Sequence, residues 1–67
     1  MERKQVTSSN IMSIGYENGT LEVEFKGNRV YQYPGVPDKT VNELLKAQSV
    51  GRYFGQNIRN QFKGTKI

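Results

Sequence analysis

Two dipeptides, Asn18-Gly19 and Gly27-Asn28, interrupt a stretch in which apolar and polar residues alternate, IMSIGYENGTLEVEFKGNRVYQY. Asparagine and glycine tolerate the positive φ angles of two-residue hairpin loops, and successive side chains of a strand point to opposite faces. The stretch therefore predicts a three-stranded antiparallel meander over about residues 11–16, 20–26 and 29–33. With two-residue loops at both turns, Tyr16 opposes Leu21, Ile14 opposes Val23 and Met12 opposes Phe25, while Phe25 opposes Val30 and Glu24 opposes Tyr31. One face then collects Met12, Ile14, Tyr16, Leu21, Val23, Phe25 and Val30 as a core. The other carries Ser13, Gly15, Glu22, Glu24, Tyr31 and Tyr33. A second loop longer by one residue would turn both tyrosines inward instead.

After the last strand, YPGVPDKT breaks the ladder with two prolines and a glycine. Helical spacing follows. Val41, Leu44 and Leu45 mark a helix over about residues 38–47, with Asp38 at its positive N-terminal end. Ser49 offers an N-cap for a second helix over about 50–62, in which Phe54, Ile58 and Phe62 recur at i, i+4 and face inward. Two amphipathic helices covering one apolar sheet face give a compact α+β domain. The expected organisation is a flexible N-terminal arm over residues 1–9, one domain over 10–63 and a flexible tail over 64–67.

Sixty-seven residues supply one small core and no second domain. The absence of cysteine removes disulfides and thiolate sites and fits a reducing cytoplasm. No apolar run reaches the roughly 20 residues of a membrane span, and MERKQVTSSN has no apolar signal-peptide core, so the expectation is a soluble, unexported protein with no membrane partner. Without histidine or cysteine, the commonest general base and the usual zinc ligands are missing. The serines have no visible base, and no glycine-rich phosphate loop precedes a helix. Neither an enzyme nor a metal or other cofactor is expected.

The net charge of +4 is unevenly placed. Residues 1–43 carry five basic and six acidic side chains, whereas residues 44–67 carry five basic ones and no acid. Such asymmetry points to an anionic partner, with a solvated helix and a basic tail as the plain alternative. On a helical wheel Arg52, Gln56, Arg59 and Lys63 form one stripe away from Phe54, Ile58 and Phe62. The two arginines and the lysine suit phosphate oxygens, and Gln56 with Asn57 and Asn60 add neutral hydrogen bonds. Tyr31 and Tyr33 on the uncovered sheet face would form a stacking platform for unpaired bases, although Glu22 and Glu24 beside them would repel phosphates. The alternative there is ordinary packing of tyrosines in a strand.

The order SIGY, LEVEF, VYQYPGVP and LLKAQSVGRYFGQNIRNQF resembles the KTSC domain family, found at the C-terminus of some lysyl-tRNA synthetases and as stand-alone bacterial and phage-type proteins. The most specific parts are Tyr31 and Tyr33, Val36-Pro37, and the run through Ala47, Ser49, Gly51, Tyr53 and Phe54 closed by Ile58-Arg59. What the resemblance implies is RNA binding, and no catalytic residue. The leading expectation is a non-catalytic module for RNA or single-stranded nucleic acid, using Arg52, Arg59, Lys63, Gln56 and Asn57 with Tyr31 and Tyr33 as stacking residues. The alternatives are a protein-interaction or homo-oligomerising module and a binder of a small phosphorylated nucleotide.

Overall fold

The computed structural model describes residues 3–6 and 8–67. Five antiparallel strands, β1 (Arg3–Gln5), β2 (Ile11–Glu17), β3 (Thr20–Phe25), β4 (Arg29–Pro34) and β5 (Thr65–Lys66), form one sheet in chain order. Two helices, α1 (Asp38–Lys46) and α2 (Val50–Asn57), lie between β4 and β5 in the chain. The α+β class stands, with five strands rather than three. Both additional strands come from the segments expected to be arm and tail, and they pair along the two edges of the central meander.

The first hairpin follows from its turn residues. Asn18 and Gly19 both take positive φ, 53° and 78°, and the loop sets Tyr16 against Leu21 and Ile14 against Val23 as the alternation requires. Further along, a register shift between Ile11 and Ser13 leaves Met12 outside the pairing and exposed. Ile11 takes the core position expected of Met12 and pairs with Phe25.

The second hairpin differs from the two-residue expectation by one residue. Phe25 pairs with Arg29, so Lys26, Gly27 and Asn28 make a three-residue loop, with Gly27 and Asn28 at φ of 89° and 60°. Val23 then faces Tyr31 and Leu21 faces Tyr33. A slip of one residue exchanges the faces of a whole strand, and here it turns two large aromatics toward the core, Tyr33 buried and Tyr31 half-buried, where the shorter loop would turn Val30 and Gln32 inward. The tyrosines therefore join the core side, and the expected platform on the uncovered face is not there.

Helix α2 starts as its cap residue dictates: Ser49 Oγ accepts from the Arg52 backbone N–H at 3.3 Å. It ends at Asn57, well short of residue 62. Asn57 turns its amide back onto the Tyr53 carbonyl at 3.2 Å, and Arg59 N–H reaches the Phe54 carbonyl across a wider turn than the helical ladder uses. Turn bonds from Gln61 and Phe62 to the Ile58 carbonyl follow. Phe54 and Ile58 remain buried and Phe62 half-buried, so the inward stripe survives the loss of helix, whereas Leu45 of α1 is exposed. The core gathers Ile11, Ile14, Leu21, Val23 and Tyr33 of the sheet against Val36, Val41, Leu44, Val50, Phe54 and Ile58.

Candidate functional site

The longer β3–β4 loop opens a cleft of about 400 Å³ between the end of the sheet and α2. Phe25, Tyr31, Tyr33 and Phe54 are its aromatic lining. Phe25 meets Tyr31 and Phe54 edge-on at centroid distances of 5.7 and 5.4 Å, and Tyr33 meets Phe54 at 5.3 Å. Phe54 and Tyr33 are buried at the base, while Phe25 and Tyr31 are half-buried. Gly64 lies directly on the Tyr33 ring, where an added methyl group would come within 2.4 Å of ring carbon, so the start of the C-terminal segment helps to hold that ring in place.

Cations approach the cleft from two elements. Arg29 opposes Phe25 at the start of β4, and its guanidinium donates weakly to the Lys26 carbonyl of its own loop, from Nε at 3.4 Å and Nη2 at 3.3 Å. Arg59 reaches the cleft from the turn after α2, four residues beyond Gly55 and eight beyond Gly51, which also line it. Burial pushes the Tyr33 hydroxyl pKa above its ordinary value, and the nearby Arg59 charge offsets part of that rise. Among the described residues no acidic side chain lines this cleft.

The expected stripe is only partly assembled. Arg52 and Gln56 are exposed on the outer side of α2, and Asn57 is exposed beside Tyr53. Lys63 is exposed past the turn and does not line the cleft. Of the residues expected to bind, the cleft brings together Arg59, Tyr31 and Tyr33. Arg29, Asn10, Phe25 and Gly55 went unsingled from the sequence as binding residues; a three-residue second loop is the signal that would have put Arg29, Tyr31 and Tyr33 on one face with Phe25.

The opposite sheet face carries another kind of polar cluster. Arg3 Nη1 meets Glu22 Oε2 at 2.7 Å and its Nη2 lies 3.9 Å from Glu24. Gln32 donates to Glu22 at 2.9 Å and Ser13 donates to Glu24 at 2.8 Å. A more open depression of about 540 Å³ borders this cluster, but its principal charged groups are already satisfied by one another. Between the helices, Tyr53 donates to Glu43 at 2.8 Å, and that bond is the first cause of a raised Tyr53 pKa. Among the described residues no three acidic, histidine or cysteine side chains gather as a metal site would need, and no helix is long and apolar enough to cross a membrane.

Over 63 residues the chain is 43% identical to a protein of Stutzerimonas stutzeri (strain A1501) described as uncharacterized, covering 91% of this chain and 89% of that one. A protein of Tsukamurella paurometabola is 31% identical over 64 residues, covering 92% and 96%. The crystal structure of a KTSC domain protein from Yersinia pestis superposes with a TM-score of 0.94 at 41% identity, over 98% of this chain and 96% of that one. With residues 7–62 matching the KTSC domain as well, the chain belongs to the KTSC domain family.

Proposed function

We propose that this protein is a non-catalytic module that binds single-stranded nucleic acid, RNA foremost, at the cleft between α2 and the β3–β4 end of the sheet. One observation carries the reading: aromatic rings and two arginines meet in a cleft that no acidic side chain lines among the described residues. Rings of this kind stack on unpaired bases, and guanidinium groups hold phosphates in planar, bidentate geometry. Arg52 and Lys63, exposed outside the cleft, add positive charge for more distant phosphates. A chain without histidine or cysteine lacks the usual apparatus of proton transfer and nucleophilic catalysis, which is the ground for the non-catalytic assignment. A cytoplasmic location is part of the same proposal, in keeping with a sequence free of cysteine.

Fluorescence anisotropy with labelled single-stranded RNA at two salt concentrations tests the reading. About three neutralised phosphates give a log–log salt slope of about −2 on a single strand. Arg59→Ala and Arg29→Ala each weaken binding and make the slope shallower. Absence of binding, or binding that neither substitution alters, rules the reading out. The cleft volume favours one second reading, because about 400 Å³ falls within the range of small-molecule sites, roughly 300–1,000 Å³. A free nucleotide at 100 times its dissociation constant would stabilise the fold by about 2.7 kcal/mol in a thermal-shift panel.

A further inference from the structure

Gly55 stands in the last turn of α2 without the positive φ that glycine alone adopts easily, and a methyl group built on it would meet nothing within 4 Å. A glycine so placed gives up helix stability with no local packing or backbone reason. The neighbouring cases differ. At Gly51 the added carbon would sit 3.2 Å from Ser8 Oγ, and at Gly64 the Tyr33 ring already fills the space. What Gly55 provides is a bare stretch of helix along a cleft otherwise lined by aromatic rings.

Asn10, also lining the cleft, supplies an independent observation. Its backbone is fastened on both sides: the N–H donates to Ser8 Oγ at 3.4 Å, and the carbonyl accepts from Lys26 N–H at 2.9 Å. Its carboxamide has no hydrogen-bond partner among the described residues. A carboxamide offers a donor beside an acceptor, which matches the adjacent acceptor and donor on the Watson–Crick edge of a base. Base pairing would occupy that edge in a duplex.

We infer that the cleft takes a single unpaired nucleobase, slotted between the bare backbone at Gly55 and the half-buried rings of Phe25 and Tyr31, with Asn10 reading its edge and Arg29 and Arg59 holding the adjoining phosphate. This rests on the nucleic-acid reading above and narrows it to one extruded base per site. Base identity is then sensed at Asn10, while the arginines contribute affinity that is indifferent to sequence.

The test uses the full chain with labelled single-stranded tracts of adenosine, cytidine or uridine, an abasic strand of the same length, and a duplex. Gly55→Leu fills the slot and is expected to weaken binding to the intact strand about 5- to 150-fold, the equivalent of one lost stacked base. Gly55→Ala raises the melting temperature by a few degrees, which shows that the position tolerates a side chain. Asn10→Ala evens out the affinities for the three tracts while leaving the salt slope unchanged. The abasic strand and the duplex bind weakly to wild type and respond little to Gly55→Leu. Strong binding to the intact strand that is indifferent to Gly55→Leu and to base removal overturns the one-base slot but leaves nucleic-acid binding standing. No binding of any strand by wild type removes both.

Discussion

The two faces of the sheet handle charge in opposite ways. On the outer face, Arg3, Ser13, Glu22, Glu24 and Gln32 satisfy one another through contacts of 2.7–2.9 Å, and among the described residues no buried side-chain polar atom lacks a partner. On the helix-covered side, among the described residues, Arg29 and Arg59 reach a cleft that no acidic side chain lines, and Arg59 forms no ion pair or side-chain hydrogen bond. A charge whose partner lies within the fold contributes to folding, whereas one held beside half-buried aromatics without a partner is available to a ligand. The edge strand β1 contributes to the separation by bringing Arg3 over the two glutamates, so that one guanidinium offsets part of their negative charge on the face away from the cleft.

The largest test breaks the fold and the cleft together. Phe54 is buried in the core, touches Phe25 and Tyr33 edge-on, and lies at the base of the cleft. Phe54→Ala is expected to cost about 3–5 kcal/mol, most of the stability available to a domain this small. Urea denaturation should show a midpoint near zero denaturant, and a near-wild-type midpoint would mean that α2 is not anchored through this ring.

Next in size is the outer face alone. Arg3→Ala leaves the largely buried Glu22 carboxylate with the Gln32 amide as its remaining side-chain partner, but the arginine side chain keeps 29% of its exposure, so solvent screens part of the pair. About 1–2 kcal/mol should be lost, and a double-mutant cycle with Glu22→Gln isolates the coupling. RNA affinity should not change. A parallel loss of affinity would show that the two faces are not independent.

What could be read in advance was local. Asn18-Gly19, the Ser49 cap and the spacing of Phe54, Ile58 and Phe62 act through neighbours in the chain, so their registers and faces follow from counting. The second loop escaped because Gly27-Asn28 fits a two-residue turn as well as a three-residue loop beginning at Lys26, and only burial of Tyr31 and Tyr33 over Val30 and Gln32 decides between them. Met12 was misplaced by an irregularity in pairing that leaves no mark on the alternation. The edge strands are two and three residues long and polar, too short for periodicity to register. The site inherits these limits: Arg59 stood out by charge, but Arg29 and Asn10 acquire meaning only after the hairpin is correctly closed.

A smaller effect is expected at alkaline pH. Burial raises the pKa of Tyr33, and desolvation with the neighbouring Asp38 raises that of Tyr16, whose hydroxyl donates to the Val36 carbonyl. Because the folded values lie above the unfolded 10.0, the unfolded chain releases these protons first. This contribution is fully present below pH 10 and is lost as pH rises through the folded values. Denaturation midpoints measured on either side of pH 10 should fall with pH, and Tyr33→Phe should lessen the fall; an unchanged slope would mean that the Tyr33 hydroxyl is solvated in the folded protein.

The smallest change in stability separates the two arginines of the basic end. Both Arg52 and Arg59 are exposed, and Arg52→Ala or Arg59→Ala should each shift stability by no more than about 0.5 kcal/mol. Their effects on RNA affinity should nonetheless differ. Arg59 lines the cleft beside Tyr33, where a phosphate adjoining a stacked base would lie, whereas Arg52 faces outward from α2 and meets only the more distant backbone. Arg59→Ala should therefore weaken binding more than Arg52→Ala at low salt, and the gap should persist at higher salt, because screening removes the contribution of an exposed, distant charge before that of one beside a ring. Equal losses from the two substitutions would return the basic stripe, rather than the cleft, to the centre of binding.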